Sequence, residues 1–161
     1  MAVIPEVVRL PSEVDAIQVR YGFECVAVDG ENVLVAFQRA WTHEMSPRLG
    51  IYNTGSSTWK FVFYPLDAPE SQNGGWVGLS DLSSLGDGRF LVLERDNQGG
   101  PDAAIKRLYS IDLDDFAVAD GTVIEKVLVR DLLPDLLASG GLAIEKVEGL
   151  AVDEDGNVWI N

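Results

Sequence analysis

Cationic residues, cysteine and histidine are the scarce side chains of this sequence. Lys and Arg number 12 against 26 Asp and Glu in 161 residues, a formal net charge of -14. So acidic a chain has no sequence-independent hold on nucleic acid phosphates, and an anionic substrate would need a cation to bring it in. Cys25 stands alone, which excludes an intrachain disulfide and a thiolate zinc knuckle. His43 is the single histidine, so a Ser-His-Asp triad either uses it or does not exist. No apolar run approaches the roughly 18 residues of a membrane span. The opening ten residues carry Pro5, Glu6 and Arg9 where a signal peptide has its apolar stretch. The Gly-x-Ser-x-Gly elbow, the phosphate loop ending in Gly-Lys-Ser/Thr, His-Glu-x-x-His and the dinucleotide glycine triplet are all missing.

What is there is the composition of one ordinary globular domain, 47% hydrophobic and 24% charged. Short segments rich in Val, Ile, Leu, Phe, Tyr and Trp alternate with turn formers, which predicts strands rather than helices. Phe23–Val28, Val33–Gln38, Arg48–Tyr52 and Trp59–Tyr64 form a first set of four. Trp76–Leu82, Arg89–Glu94, Arg107–Leu113 and Val123–Val129 form a second, and Val147–Val152 with Val158–Asn161 opens a third. Asp29-Gly30, Asp87-Gly88 and Asp155-Gly156 mark turns, because glycine accepts positive φ and Asp side chains bond nearby backbone. One helix is predicted over Leu132–Ala138, with Asp131 in front, Pro134 tolerated in the first turn and Gly140-Gly141 behind.

The three sets repeat one pattern. Glu24-Cys25-Val26-Ala27-Val28, Gly78-Leu79-Ser80-Asp81-Leu82 and Glu148-Gly149-Leu150-Ala151-Val152 each lead through an Asp-Gly turn into a strongly apolar strand. The turn glycines, at 30, 88 and 156, recur at intervals longer than the roughly 40 to 50 residues of familiar four-stranded propeller blades. Strands apolar on nearly every residue are buried on both faces, as in sheets stacked radially. The expected fold is therefore all-β: a β-propeller fragment of about two and a half antiparallel blades, spanning 21–65, 76–130 and the start of a third at 146–161. Ile4–Leu10 is expected to supply an outer strand to a blade completed by sequence beyond Asn161. A two-sheet sandwich is the alternative.

Four carboxylates carry the chemical expectation. Glu24 and Glu148 open the innermost strands of sets one and three, where a propeller aims side chains into its channel, and Glu94 and Asp96 end the second strand of set two. Acids gathered at one end of a channel repel unless protonated or bridged, and Ca²⁺, which takes about six to eight oxygens, is the usual bridge. Glu24, Glu94, Asp96 and Glu148 are thus candidate metal ligands, with Glu94 and Glu148 as candidate catalytic groups. The alternative has Glu24 and Glu148 bonding backbone amides of adjacent blades while Arg95 pairs with Glu94 or Asp96. His43 reads as a solvated loop residue before it reads as an acid/base. Asp153–Asn157 reads as a hairpin turn before a calcium loop, Cys25 as a buried apolar residue, and Trp41, Trp59, Trp76 and Trp159 as packing.

Leu93-Glu94-Arg95, then Arg107-Leu108-Tyr109-Ser110-Ile111-Asp112-Leu113, then Glu148-Gly149-Leu150-Ala151-Val152 with Asp155-Gly156, resemble the phytase-like propeller family named for "esterase-like activity of phytase". The resemblance runs from Tyr21 to Asn161. Glu-Gly-Leu-Ala with Asp-Gly-Asn-Val-Trp is also similar to propeller lactonases of the gluconolactonase type. The resemblance implies a six-bladed or similar propeller, exported to the periplasm or medium, hydrolysing small phosphoesters or other esters with Ca²⁺. Glu94 and Glu148 match the family's recurring acids. Glu24 matches too, with Cys25 in place of the glycine expected after it. The other function classes are a metal-dependent lactonase and a non-catalytic propeller that binds a ligand or protein.

Overall fold

The computed structural model describes residues 7–15 and 22–161. After a short helix, α1 (Ser12–Asp15), come β1 (Phe23–Asp29), β2 (Asn32–Phe37), β3 (Arg48–Asn53) and β4 (Thr58–Phe63), an antiparallel meander in that order. The second sheet repeats it with β5 (Val77–Gly86), β6 (Arg89–Asp96), β7 (Lys106–Asp112) and β8 (Lys126–Asp131). After α2 (Leu133–Leu137), β9 (Leu150–Val152) pairs with β10 (Val158–Ile160). The class is all-β, as the residue pattern required. Gly30, Gly88 and Gly156 have φ of 58°, 74° and 81°, the conformation an Asp-Gly hairpin turn demands and one that L side chains resist.

The sheets pack in series, the first strand of each beside the first strand of the next: β1 lies against β5, and β5 against β9. Between sheets one and two, Leu34, Ala36, Leu49, Ile51, Val62 and Tyr64 meet Leu82, Phe90, Val92, Ile111 and Leu113. Between sheets two and three, Leu91, Leu93 and Leu108 meet Leu132, Val147 and Leu150. Because side chains alternate along β6, Val92 and Glu94 belong to the face turned to sheet one, while Leu93 and Arg95 belong to the face turned to sheet three. This arrangement is compatible with consecutive blades. On the far face of sheet one Val26 and Val28 remain exposed.

Several expectations shift. The last strand of sheet two begins at Lys126, not Val123, because the stretch before it pairs elsewhere. Phe63 N donates to Thr122 O, Ile124 N to Phe63 O and Gly121 N to Phe61 O, so 121–124 runs beside β4 and covers the outer edge of sheet one. Only Leu150–Val152 of the expected Val147–Val152 strand is regular. The helix occupies Leu133–Leu137, with Pro134 in its first turn and Asp131 Oδ1 accepting from Leu133 N at 3.0 Å. Of the strand expected at Ile4–Leu10, residues 7–10 form none and 4–6 lie outside the described residues, as does Tyr21.

Candidate functional site

The antiparallel register brings all four candidate acids to one end of the sheets, where β1, β5 and β9 begin and β2, β6 and β10 finish. That end also carries the β2–β3 and β6–β7 connections and the crossings between sheets. Two bulges shape it. β1 shifts register between Phe23 and Cys25, leaving Glu24 as the extra residue, and β5 does so between Leu79 and Asp81, leaving Ser80. In sheet three the amides of Glu148 and Gly149 both donate to Asn161 O, at 2.9 and 3.2 Å, so Glu148 also sits where two residues oppose one. A bulge turns its extra side chain out of the ladder, and here it turns the acids toward the junction of the three first strands.

Glu148 pairs with Arg95, whose charge also acts on Glu24. The Arg95 guanidinium, 3% exposed, donates through Nη2 to Glu148 Oε1 at 3.1 Å and lies with Nε 3.3 Å from Ser80 Oγ. Ser80 Oγ in turn donates to Val147 O at 2.8 Å, so one cation ties the bulge of sheet two to the entry of sheet three. Glu24 is exposed and accepts from Gln38 Nε2 at 2.6 Å. Burial by its neighbours pushes the Glu24 carboxyl above its usual value, the charge of Arg95 opposes that, and the charge of Glu148 adds to it. Glu148 is exposed as well and has Lys146 Nζ at 3.3 Å. In sheet two the extra residue is Ser80, and Gly78, which the sequence repeat aligned with Glu24, lies two residues before it. A Cβ on Gly78 would stand 2.7 Å from Gln38 O, so the second sheet approaches the first closely there.

Glu94 and Asp96 are held inside the protein instead. Glu94 is fully buried, accepting from Lys126 Nζ and from Asp67 N, each at 2.6 Å. Burial keeps its carboxyl above the usual value despite the bond from Lys126. Asp67 joins the same network, accepting from Arg107 Nη1 and Tyr109 Oη at 2.6 Å, with Lys126 Nζ at 2.8 Å. Burial alone would raise the Asp67 carboxyl, but the bonds from Lys126, Tyr109 and Arg107 outweigh it and hold it low. Asp96 accepts from Lys106 Nζ at 2.6 Å and from the amides of Ala104 and Ile105 at 2.7 and 2.9 Å. These donors likewise outweigh burial and hold its carboxyl low. Arg95 thus pairs with neither Glu94 nor Asp96 side chains; lysines do.

His43 is exposed in the β2–β3 connection at φ 78°. Cys25 is buried in the core between sheets one and two, where burial pushes its thiol up, away from a nucleophile's range. Trp41 packs against Phe37 with the Arg48 guanidinium 4.5 Å from its ring centre, Trp59 stacks on Phe61, and Trp159 is largely exposed. Trp76 lies under Arg39 and Arg95, at 4.9 and 5.5 Å from its ring centre. Asp153 organises its hairpin, accepting from Asp155 N, Asn157 N and Trp159 Nε1.

A cleft of about 460 Å³ lined by Arg39, Glu44, Asp67 and Trp76 opens at the acidic end. A larger hollow of about 680 Å³, lined by Arg89, Asp112, Thr122 and Glu125, lies at the opposite end of the strands, away from the acids. Among the described residues no group of three or more His, Cys, Asp or Glu side chains is placed to hold a metal ion. Glu24 and Glu148 by themselves fall short of the six to eight or so oxygens Ca²⁺ takes, so no chemical step is assigned to a metal.

Residue reading missed Lys106, Lys126 and Asp67. A lysine inside Ile105-Lys106-Arg107-Leu108 carries a signal, since a cation in an apolar strand needs a buried partner, but the partner is not named by spacing. The chain matches the Phytase-like family model, described as "Esterase-like activity of phytase", over residues 2–161. No curated protein and no solved structure matches the chain.

Proposed function

The chain belongs to the Phytase-like family, and on that premise we propose that its sheets are blades of a propeller whose acidic end hydrolyses small esters or phosphoesters. One observation carries the reading: exposed Glu148 of sheet three pairs with a buried guanidinium whose charge also acts on exposed Glu24 of sheet one. Glu24 has the carboxyl raised by burial, which makes it a better general base than an ordinary carboxylate at neutral pH. It takes a proton from water as the water oxygen attacks the ester carbon or phosphorus, and the acid so formed returns the proton to the departing alcohol oxygen. Glu148, fixed by Arg95, sets the second wall of the site. Lys146, beside Glu148, adds positive charge at this end that draws an anionic ester toward so acidic a protein. Glu94 has no exposed surface and serves the scaffold. Ca²⁺, which the resemblance implies, would have to complete its coordination with substrate, water or residues outside those described.

A second reading, a binding propeller without catalysis, draws on the Arg95–Ser80–Val147 stitch between sheets two and three. Turnover of p-nitrophenyl phosphate, p-nitrophenyl acetate and a simple lactone by the parent chain, Glu24→Gln and Glu148→Gln separates the readings. The hydrolase reading expects turnover by the parent that both variants lose. Turnover unaffected by either change, or none by a folded parent, overturns it, and turnover of the lactone alone assigns the lactonase chemistry.

A further inference from the structure

Lys106 is the one lysine with no solvent exposure among the described residues, and its ammonium is enclosed by four oxygens. Asp96 Oδ1 stands at 2.6 Å, Asp96 O and Gln98 O at 2.9 Å, and Glu145 O at 3.0 Å. These come from two stretches: the end of β6 with the connection that directly follows it, and the segment leading to Glu148. A carboxylate and converging main-chain carbonyls are the donor set of a hard cation rather than of a neutral hydrogen-bonding group. The same segment is docked twice more, by Gly100 N donating to Ala143 O at 2.7 Å and by Gly99, where a Cβ would stand 3.1 Å from Glu145 N.

The geometry points to a built-in cation site that the chain fills with its own lysine: the Lys106 ammonium occupies an oxygen cage that would otherwise take a compact monovalent cation. By closing that cage it fixes Glu145 O, and with it the approach of Glu148 to Arg95. Lys106 is in this sense a positioning residue, a role that rests on the hydrolase reading above, whereas the cage itself does not.

Replacing the side chain and supplying the cation separately tests both parts. Lys106→Ala in the full chain is expected to melt roughly 10 °C below the parent, the effect of breaking a buried ion pair in a protein of this size. Propylammonium, which restores the missing stem and charge, is expected to raise its melting temperature saturably. Tetramethylammonium at equal ionic strength, too bulky for the cage, is not, and the parent should respond to neither. If the variant fails to fold unaided, the yield of folded protein on refolding with each cation is read in the same way. A variant as stable as the parent, or one that propylammonium and tetramethylammonium affect alike, overturns the cage. Recovery of melting temperature without recovery of ester turnover overturns the positioning role alone. Absence of turnover in the parent counts against the hydrolase reading and leaves the melting result standing.

Discussion

Glu94 and Asp96 are met by lysine ammoniums inside the protein, whereas Glu24 and Glu148 stand exposed at the strand tips, Glu148 paired with Arg95 and Glu24 with Gln38. The two pairs of acids lie at the same end of the same sheets and look alike in sequence. Their difference is one of solvation. A buried carboxylate holds its charge only with a cation and further donors on its oxygens. Asp96 has those in number, and its carboxyl is held low; Glu94 has fewer, and burial keeps its carboxyl high. The exposed pair is under no such compulsion, so its oxygens can face a substrate. Acids sealed within the fold and acids left open to solvent are thus told apart by burial and partner count, not by position in the repeat.

The largest effect expected from breaking this contrast is on the buried side. Asp96→Ala leaves Lys106 charged among carbonyls and should lower the unfolding free energy in urea by about 3–5 kcal/mol; a loss below about 1 kcal/mol would place Asp96 with the exposed acids. On the accessible side, Glu24→Gln should reduce ester turnover by about 10²–10⁴-fold while shifting stability by no more than about 1 kcal/mol. A stability loss with turnover intact would reverse its assignment. Gly78→Ala probes how closely the second sheet approaches the first at this end: its Cβ, 2.7 Å from Gln38 O, should cost about 1–3 kcal/mol by overpacking. A neutral result would show that sheets one and two can separate at this end.

The smallest effect sharpens the contrast through pH. Glu24 has its carboxyl raised above 4.5 in the folded protein, so the folded form keeps the proton more tightly than the unfolded chain. Its contribution is therefore most favourable at acid pH and is lost as pH rises through the raised value. Glu24→Gln should match the parent at acid pH and gain slightly on it near neutrality. Asp96, lowered from 3.8, has the opposite sign: its contribution is present at neutral pH and is lost as pH falls below 3.8. Urea midpoints measured from acid to neutral pH should show the Glu24→Gln difference opening upward and the Asp96→Asn deficit closing downward. Parallel curves for the two variants would refute the distinction.

Much of the architecture was legible because its causes are local. Alternating β-branched and aromatic runs, Asp-Gly turns and the Asp153 hairpin depend on residues close in the chain, and they stand where the pattern placed them. That Glu24 and Glu148 stand at matching strand starts was legible from the repeat. The strand expected to begin at Val123 was misplaced because residues 121–124 bond to β4, a partner in another sheet. The alternative that pairs Arg95 with its sequence neighbours Glu94 or Asp96 fails because alternation along β6 sends it to the opposite face from Glu94, and Glu148 is the side chain it meets there.

The sequence by itself determined an all-β chain of repeated antiparallel units, acidic overall, with carboxylates at matching strand ends, since hydrophobic period, turn chemistry and charge are properties of short stretches. Only the tertiary structure decided which of those carboxylates would be sealed against Lys106 and Lys126 and which would remain open to solvent. Burial and ion pairing depend on what packing brings together: Glu148 meets Arg95 at the junction of two sheets, Lys126 reaches Glu94 from the far strand of the same sheet, and Lys106 meets Asp96 across one hairpin that the segment at Glu145 seals.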